Sequence, residues 1–113
     1  MENYNELYKL WKQKCVDPTL AKELAEMEGN DNEILERFYS KLKFGTAGLR
    51  GVLGVGTNRM NIYTVNQATQ GIAEYLLSEF ENPSVAIAYD SRINSELFAK
   101  ETAGVFAANG VKV

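Results

Sequence analysis

Histidine is absent from this chain of 113 residues, and cysteine occurs once, at Cys15. Without histidine, neither a Ser/His/Asp nor a Cys/His catalytic arrangement can form. The same absence, with a single cysteine, leaves a zinc site unsupported. One cysteine cannot form an internal disulfide, which excludes a small disulfide-stapled secreted domain. We expect Cys15, in a predicted helix, to be an inert packing thiol.

Long hydrophobic runs and an excess of basic charge are also missing. No stretch approaches the roughly 20 apolar residues that span a bilayer, and the N-terminal residues lack the basic start and apolar run of a signal peptide. We therefore expect a cytoplasmic location and no membrane partner. A net charge of −3 argues against a general nucleic-acid binder. What remains is the ordinary composition of a globular chain.

Apolar side chains recur at helical spacing in the N-terminal third of the chain, which predicts three amphipathic helices. The first covers residues 4–16. Asp17 and Pro18 supply an N-cap and a first helical residue for the second helix, and Gly29 is a typical C-terminal stop. Asn30, with an acidic residue three positions later, opens the third helix.

Residues 44–61 form a glycine-spaced segment that carries no acidic side chain. Glycine lets backbone N–H groups approach a ligand closely, and arginines such as Arg50 offer a planar fork of donors to phosphate oxygens. No Asp or Glu occurs between Arg37 and Ala73, so the local field favours an anion. The segment predicts a phosphate-binding loop. Its glycines are Gly45, Gly48, Gly51, Gly54 and Gly56.

Residues 64–113 show the order helix, strand, helix, strand. Thr64 begins a capping box that opens the first helix, and Ser84–Tyr89 fits a strand that is buried on both faces. Ser95 caps the second helix, and Val111 begins the second strand. This order predicts an α/β fold, an incomplete three-layer α/β/α domain with a βαβ unit, preceded by helices.

The turn Asp90-Ser91-Arg92 follows the first predicted strand, where ligands of open α/β sheets bind. Two interpretations remain open. Arg92 could face the same ligand as the glycine segment, or Asp90 could simply hold local backbone N–H groups. Two well-known phosphate loops are excluded, because the chain has no Gly-Lys pair and Gly54-Val55-Gly56 is not followed by a third glycine at the required spacing.

Two motifs resemble a known superfamily. The run Phe44-Gly45-Thr46-Ala47-Gly48-Leu49-Arg50-Gly51 resembles the opening motif of the α-D-phosphohexomutases, and Tyr89-Asp90-Ser91-Arg92 is similar to their second-strand motif. Residues 56–65 resemble the branch of phosphoglucomutases and phosphopentomutases with an N-terminal helical extension. This resemblance implies a helical extension over residues 1–43 and a truncated first α/β domain over residues 44–113 of a four-domain enzyme.

The resemblance also implies a chemistry. Such enzymes move a phosphoryl group on a sugar phosphate (a phosphoglucomutase or phosphomannomutase reaction) through a phosphoserine and a bisphosphorylated sugar. They use Mg²⁺ and a glucose 1,6-bisphosphate-type activator. The serine lies in a Thr-Ala-Ser-His-Asn-Pro-type loop that a chain without histidine lacks. The Mg²⁺ ligands lie outside this chain as well. We therefore expect the chain to be catalytically incomplete and inactive alone.

Residue by residue, the resemblance makes Arg50 the arginine beside the phosphoserine, in support of the active site. Thr46 and Gly48 would help to shape the phosphate pocket, whereas Arg59 and Arg92 are weaker candidates that could be structural. The expected partners are a sugar phosphate and the other domains of the parent enzyme. Two alternatives stay open: a non-catalytic module that binds sugar phosphates or other anions, and a unit that self-associates through an open strand edge.

Overall fold

The computed structural model describes residues 3–45 and 48–113; Met1, Glu2, Thr46 and Ala47 lie outside the described residues. Contacts divide the chain into two compact units, Met1–Asn61 and Ile62–Val113. Each unit is therefore described by itself. The domain boundary after residue 43, which the sequence resemblance implies, stays a prediction.

The N-terminal unit contains the three predicted helices: α1 (Tyr4–Lys14), α2 (Pro18–Glu26) and α3 (Asp31–Phe38). The predicted caps are confirmed for α2 and α3. The Asp17 side chain accepts a hydrogen bond from the Leu20 N–H at 3.0 Å. Each cap satisfies a backbone donor that the first helical turn leaves unpaired.

The cap of α3 has the same form. The side-chain oxygen of Asn30 accepts a hydrogen bond from the Glu33 N–H at 3.3 Å. Gly29, before it, has a φ of +82°, a left-handed conformation that glycine adopts without strain. The sequence therefore predicted both the stop of α2 and the start of α3.

The core of the N-terminal unit lies between these helices and the glycine segment. Tyr8, Leu24, Phe38 and Val55 are buried in it. Trp11 packs against Phe38 edge to face, with ring centroids 5.6 Å apart, a favourable aromatic geometry. Both aromatic side chains thus contribute to the packing of the core. Cys15 also packs against this core.

A short hairpin follows α3. Strands β1 (Phe44–Gly45) and β2 (Gly48–Leu49) pair antiparallel, with Phe44 opposite Leu49. The hairpin falls at the start of the glycine segment, for which the sequence predicted only a loop.

The second unit contains two helices, α4 (Ile62–Glu79) and α5 (Ser95–Ala108). Both predicted N-termini were wrong in detail. Helix α4 begins two residues before Thr64, which is buried inside the helix, so Thr64 is not its cap. The N-cap position of α5 is Asn94, at φ +68° and without a side-chain cap bond. Ser95, the predicted cap, is the first helical residue, and its hydroxyl donates to Asp90.

The two predicted strands of this unit are reduced to one parallel bridge between Ser84 and Lys112. Val85 N–H donates to the Lys112 carbonyl at 2.8 Å, and Lys112 N–H donates to the Pro83 carbonyl at 3.3 Å. The prediction that Ser84–Tyr89 is buried on both faces was wrong. Val85 and Ile87 pack on the core, which also contains Ala73, Phe106 and Val111, whereas the alternate residues are exposed because nothing in the described part of this unit covers that face. No helix in the described ranges is long and apolar enough to cross a membrane.

Candidate functional site

The glycine segment divides into two halves with different surroundings. The first half consists of the hairpin strands and the exposed Arg50, and the second half, residues 52–61, packs on α3. Thr46, a predicted pocket residue, lies outside the described residues. Gly48 has a φ of +107°, and a Cβ at this position would meet nothing within 4 Å. The backbone conformation therefore favours glycine, although the surroundings would leave room for a side chain.

The second half uses its glycines for contact with the protein itself. A Cβ on Gly56 would lie 2.6 Å from the Arg37 carbonyl oxygen, and one on Gly54 would lie 3.0 Å from Arg37 Nη1. Asn61 donates from Nδ2 to the carbonyls of Gly54 and Gly56, at 2.9 and 3.0 Å. These glycines therefore serve internal packing, which is a different use from the ligand approach that the sequence predicted for the whole segment.

The roles of Arg37 and Asn61 in holding this segment were not predicted from the sequence. The signal for Arg37 was Glu33, four residues earlier on α3, since that spacing places the two side chains on one helix face. The two side chains form an ion pair at 2.8 Å. Asn61, buried at the end of the segment, had no such signal, because its partners are backbone carbonyls that sequence does not identify.

Arg50 is exposed on the hairpin's C-terminal side. Of the four arginines in the sequence, Arg37, Arg59 and Arg92 each form an ion pair with a carboxylate. Within the described residues, Arg50 forms no ion pair. Its guanidinium is thus available to an external anion.

The two basic residues that precede the hairpin, Lys41 and Lys43, are also exposed. In contrast, carboxylates from α2 and α3 compensate Arg37 and Arg59, although the sequence between Arg37 and Ala73 has no acid. The positive field predicted for the whole window is therefore concentrated on residues 41–50.

Arg59 lies in a different environment. Its side chain is only 11% exposed, and Nη2 lies 3.8 Å from Glu36 Oε2 on α3. It also donates from Nη1 to the Asn58 carbonyl at 3.1 Å. These contacts favour the structural alternative for Arg59 over direct phosphate binding.

The Asp90-Ser91-Arg92 turn lies in the second unit and is organised by Asp90. Its carboxylate accepts hydrogen bonds from the Ser95 hydroxyl at 2.7 Å and the Arg92 backbone N–H at 3.0 Å. Together with the Arg92 side chain at 2.7 Å, these donors lower the pKa of Asp90 to about 2, the Ser95 hydroxyl contributing most. The interpretation in which Asp90 holds local backbone is confirmed, while Arg92 itself is highly exposed.

The described residues contain no candidate metal site. No group of three or more His, Cys, Asp or Glu side chains among them could hold a metal ion. Mg²⁺ prefers carboxylate and phosphate oxygens, and the charged side chains that flank the hairpin, Lys43 and Arg50, are cationic. The described residues therefore do not fit a resident Mg²⁺.

The comparisons with known proteins agree on one family. Residues 41–113 match the family described as Phosphoglucomutase/phosphomannomutase, alpha/beta/alpha domain I. The matched region starts just before the hairpin and includes both the glycine segment and the Asp90 turn. The part of the chain that carries the glycine segment and the Asp90 turn is therefore similar to domain I of this family.

Two curated relatives extend the match over 92% of the chain. A phosphoribomutase of Saccharomyces cerevisiae is 38% identical over 107 residues, and a phosphoglucomutase of Staphylococcus aureus is 40% identical over 104 residues. The chain belongs to the phosphoglucomutase/phosphomannomutase family, as the sequence motifs indicated. It spans 17% and 18% of the length of these relatives. No solved structure matches it.

Proposed function

We propose that this chain supplies a phosphate-binding loop to an enzyme that moves a phosphoryl group between positions of a sugar phosphate. Membership in the family and the names of the relatives, a phosphoribomutase and phosphoglucomutases, support this assignment. The chain spans less than a fifth of the length of those relatives. We therefore propose the mutase activity, and a cytoplasmic location, for the enzyme as a whole.

The proposal rests on Arg50, which is exposed and forms no ion pair within the described residues. Phosphoryl transfer depends mostly on positioning and on stabilising charge that spreads over the equatorial oxygens. An arginine can do both, since its guanidinium binds two phosphate oxygens at once. In the described part of the chain Arg50 has no carboxylate partner, and binding an anion there breaks no existing ion pair.

Arginine cannot accept the phosphoryl group, because its pKa is too high for it to act as a nucleophile or a proton carrier near neutral pH. We propose that the hydroxyl of a serine outside this chain accepts it, beside Arg50, and that the resulting phosphoserine transfers it back to the sugar. Thr46 and Gly48 would shape the pocket, and Arg59 would support the loop through its ion pair with Glu36 on α3. Arg92, in the Asp90 turn, is a further candidate for binding phosphate. Since the described residues do not fit Mg²⁺, none of these residues is proposed to act through a bound metal ion. We propose that other domains of the enzyme bind the bisphosphate activator and supply the Mg²⁺ ligands.

The architecture of the proposal is a helical extension over residues 1–43, followed by an incomplete three-layer domain over residues 44–113. The parallel bridge between Ser84 and Lys112, with α5 between them in sequence, supports a βαβ unit. Parallel strands joined through a helix are the building unit of such domains.

A chimera tests the proposal. The aligned segment of the Staphylococcus aureus phosphoglucomutase would be replaced by this chain, and turnover of glucose 1-phosphate would be measured with Mg²⁺ and glucose 1,6-bisphosphate. We expect an active chimera that Arg50→Ala inactivates by about 100-fold or more, the usual cost of one group that stabilises transition-state charge. Lys9→Ala, which removes an exposed charge on α1, should leave activity unchanged. An Arg50→Ala chimera as active as its parent would refute the role of Arg50.

The exposed Arg50 also supports a second function that needs no catalysis, the binding of sugar phosphates or other small anions. Calorimetry with the 113-residue chain and glucose 1-phosphate tests this binding directly. Heat that disappears in Arg50→Ala, together with an inactive chimera, would favour binding alone. Turnover by the 113-residue chain would instead contradict our expectation that it is catalytically incomplete.

A further inference from the structure

Arg37 lies at the centre of the contacts that hold the second half of the glycine segment. Its side chain is 18% exposed. Nη1 donates to Glu23 Oε1 at 2.9 Å and to the Val55 carbonyl at 3.2 Å, and Nε donates to Glu33 Oε1 at 2.8 Å. One guanidinium thus connects α2, α3 and the glycine segment.

The charge of Arg37 is secured by these partners. Burial by itself lowers the pKa of Arg37, but the hydrogen bonds and charges of Glu33 and Glu23 more than offset that effect, so the pKa is raised. The Nε and Nη1 donors of this partly buried cation are directed at two carboxylates and a backbone carbonyl. Arg37 is therefore committed to contacts within the protein.

The backbone around Arg37 extends the same contact. The Asn58 N–H donates to the Arg37 carbonyl at 3.0 Å, and Gly56 is packed against that carbonyl so closely that it has no room for a side chain. The path of residues 54–58 is consequently fixed by α3 on both its side-chain and its backbone surface.

This fixed segment in turn holds the base of the hairpin. The Leu42 N–H donates to the Thr57 carbonyl at 2.9 Å, and the Thr57 hydroxyl donates to the Ser40 carbonyl at 2.7 Å. On the other side of the hairpin, a Cβ on Gly51 would lie 2.6 Å from Leu42 Cδ1. The chain just before the hairpin and the residue just after Arg50 are therefore in contact with each other.

We propose that Arg37 is a positioning residue for Arg50, which it orients toward phosphate by fixing residues 54–58 and, through Thr57 and Leu42, the base of the hairpin. This inference rests on the proposed function, since it requires that Arg50 bind phosphate. A purely stabilising ion network would need only the two carboxylates. The bond from Arg37 to the Val55 carbonyl and the glycine-only contact at Gly56 are what couple it to the loop.

The test uses the ¹⁵N-labelled 113-residue chain, titrated with inorganic phosphate and with glucose 1-phosphate, while the Arg50 Nε–H resonance is followed by NMR. Arg37→Gln removes the charge and the fork, and Arg37→Lys keeps the charge alone. At a temperature where every variant is folded, we expect Arg37→Gln to weaken binding about fivefold, within the range of mutations that act through a contact network. Arg37→Lys should recover part of this loss.

Tyr8→Phe is the matched control. It removes hydrogen bonds from the Tyr8 hydroxyl to the Leu24 carbonyl and to Glu28 in the same unit, without touching the glycine segment. It should lower stability and leave phosphate binding unchanged. A second readout is amide hydrogen exchange, which should accelerate at Leu42 and Asn58 in Arg37→Gln and stay unchanged in Tyr8→Phe.

The outcomes separate this inference from the proposed function. If the wild type does not bind either probe, or if Arg50→Ala binds as well as the wild type, the proposed function fails. If Arg50→Ala abolishes binding and folded Arg37→Gln binds like the wild type, only the positioning role is refuted. Should Arg37→Gln not fold, Glu23→Gln replaces it, since it removes one carboxylate partner and keeps the arginine. Unchanged binding and unchanged exchange in Glu23→Gln would refute the role equally.

Discussion

Gly56 and the carbonyl of Arg37 are in contact so close that a Cβ on Gly56 would lie 2.6 Å from the oxygen, and the φ of Gly56 is +129°. An alanine at this position would meet both backbone strain and a backbone atom that cannot move aside. We expect Gly56→Ala to lower the free energy of unfolding of the N-terminal unit by about 2–4 kcal/mol. The single tryptophan, Trp11, lies in this unit, so its fluorescence during urea unfolding measures the change.

Gly48→Ala separates the two contributions. Gly48 has a φ of +107° but nothing within 4 Å of a Cβ. The substitution should therefore cost only the backbone strain, about 1–2 kcal/mol. If Gly56→Ala were no more destabilising than Gly48→Ala, the close packing of the glycine segment on α3 would be contradicted.

Gly104→Ala should have the opposite sign. Gly104 lies inside α5, where a Cβ would meet nothing within 4 Å and the backbone is helical. Alanine loses less conformational entropy on folding, so we expect the second unit to gain about 0.5–1 kcal/mol. Far-UV circular dichroism during urea unfolding detects this gain, and Trp11 fluorescence, which reports the other unit, should be unchanged. A loss of stability would contradict the open space around Gly104.

The parts of the fold that sequence predicted well are those that depend on local chemistry. Asp17 and Asn30 cap their helices as predicted, because a side-chain oxygen and a backbone N–H two or three residues later form the whole motif. The predicted cap at Thr64 was wrong because its position depends on packing and not on local chemistry alone. Thr64 carries a capping pattern, but it is buried within α4, which begins at Ile62.

The candidate site shows a similar limit. Its composition, with spaced glycines and Arg50, was visible in sequence and predicted the family correctly. Sequence did not reveal that Gly54 and Gly56 contact Arg37, because that contact joins residues on different elements of the fold. The positive charge predicted for the glycine segment from sequence was also too high. Glu23 and Glu36 come close to Arg37 and Arg59 only because α2 and α3 pack beside the segment.

Tyr8 should make the N-terminal unit sensitive to alkaline pH. Burial raises the pKa of Tyr8 to about 12, with a further contribution from its bond to Glu28. The neutral phenol is thus favoured in the folded state, and its stability contribution is complete below the unfolded pKa of about 10 and lost as the pH rises toward 12. We expect the wild type to lose about 2–3 kcal/mol between those values because of this residue, at 1.36 kcal/mol per pKa unit.

Tyr8→Phe is the control for this pH dependence. It should cost about 1 kcal/mol at neutral pH, the net value of a typical lost hydrogen bond. The difference in unfolding free energy between wild type and variant should then shrink, and change sign, as the pH approaches 12. Urea unfolding followed by Trp11 fluorescence at pH 7, 10 and about 11.5 measures it. A constant difference would mean that the Tyr8 hydroxyl ionises as easily folded as unfolded.

Asp90 should respond at the acidic end. Its pKa is about 2, and the Ser95 hydroxyl is the largest cause, followed by the backbone N–H and side chain of Arg92. Since the folded pKa is depressed, the contribution of this carboxylate to the turn is present above its unfolded pKa and is lost as the pH falls toward 2.

Ser95→Ala removes the main donor, and we expect the Asp90 pKa to rise toward its ordinary value, more than in Arg92→Gln, which keeps the backbone N–H. Carbon-detected NMR titration of the carboxyl carbon measures these shifts. Ser91→Ala, which removes a hydroxyl that forms no described hydrogen bond to Asp90, should leave the titration unchanged; a larger rise there than in Ser95→Ala would contradict the bonding of the turn.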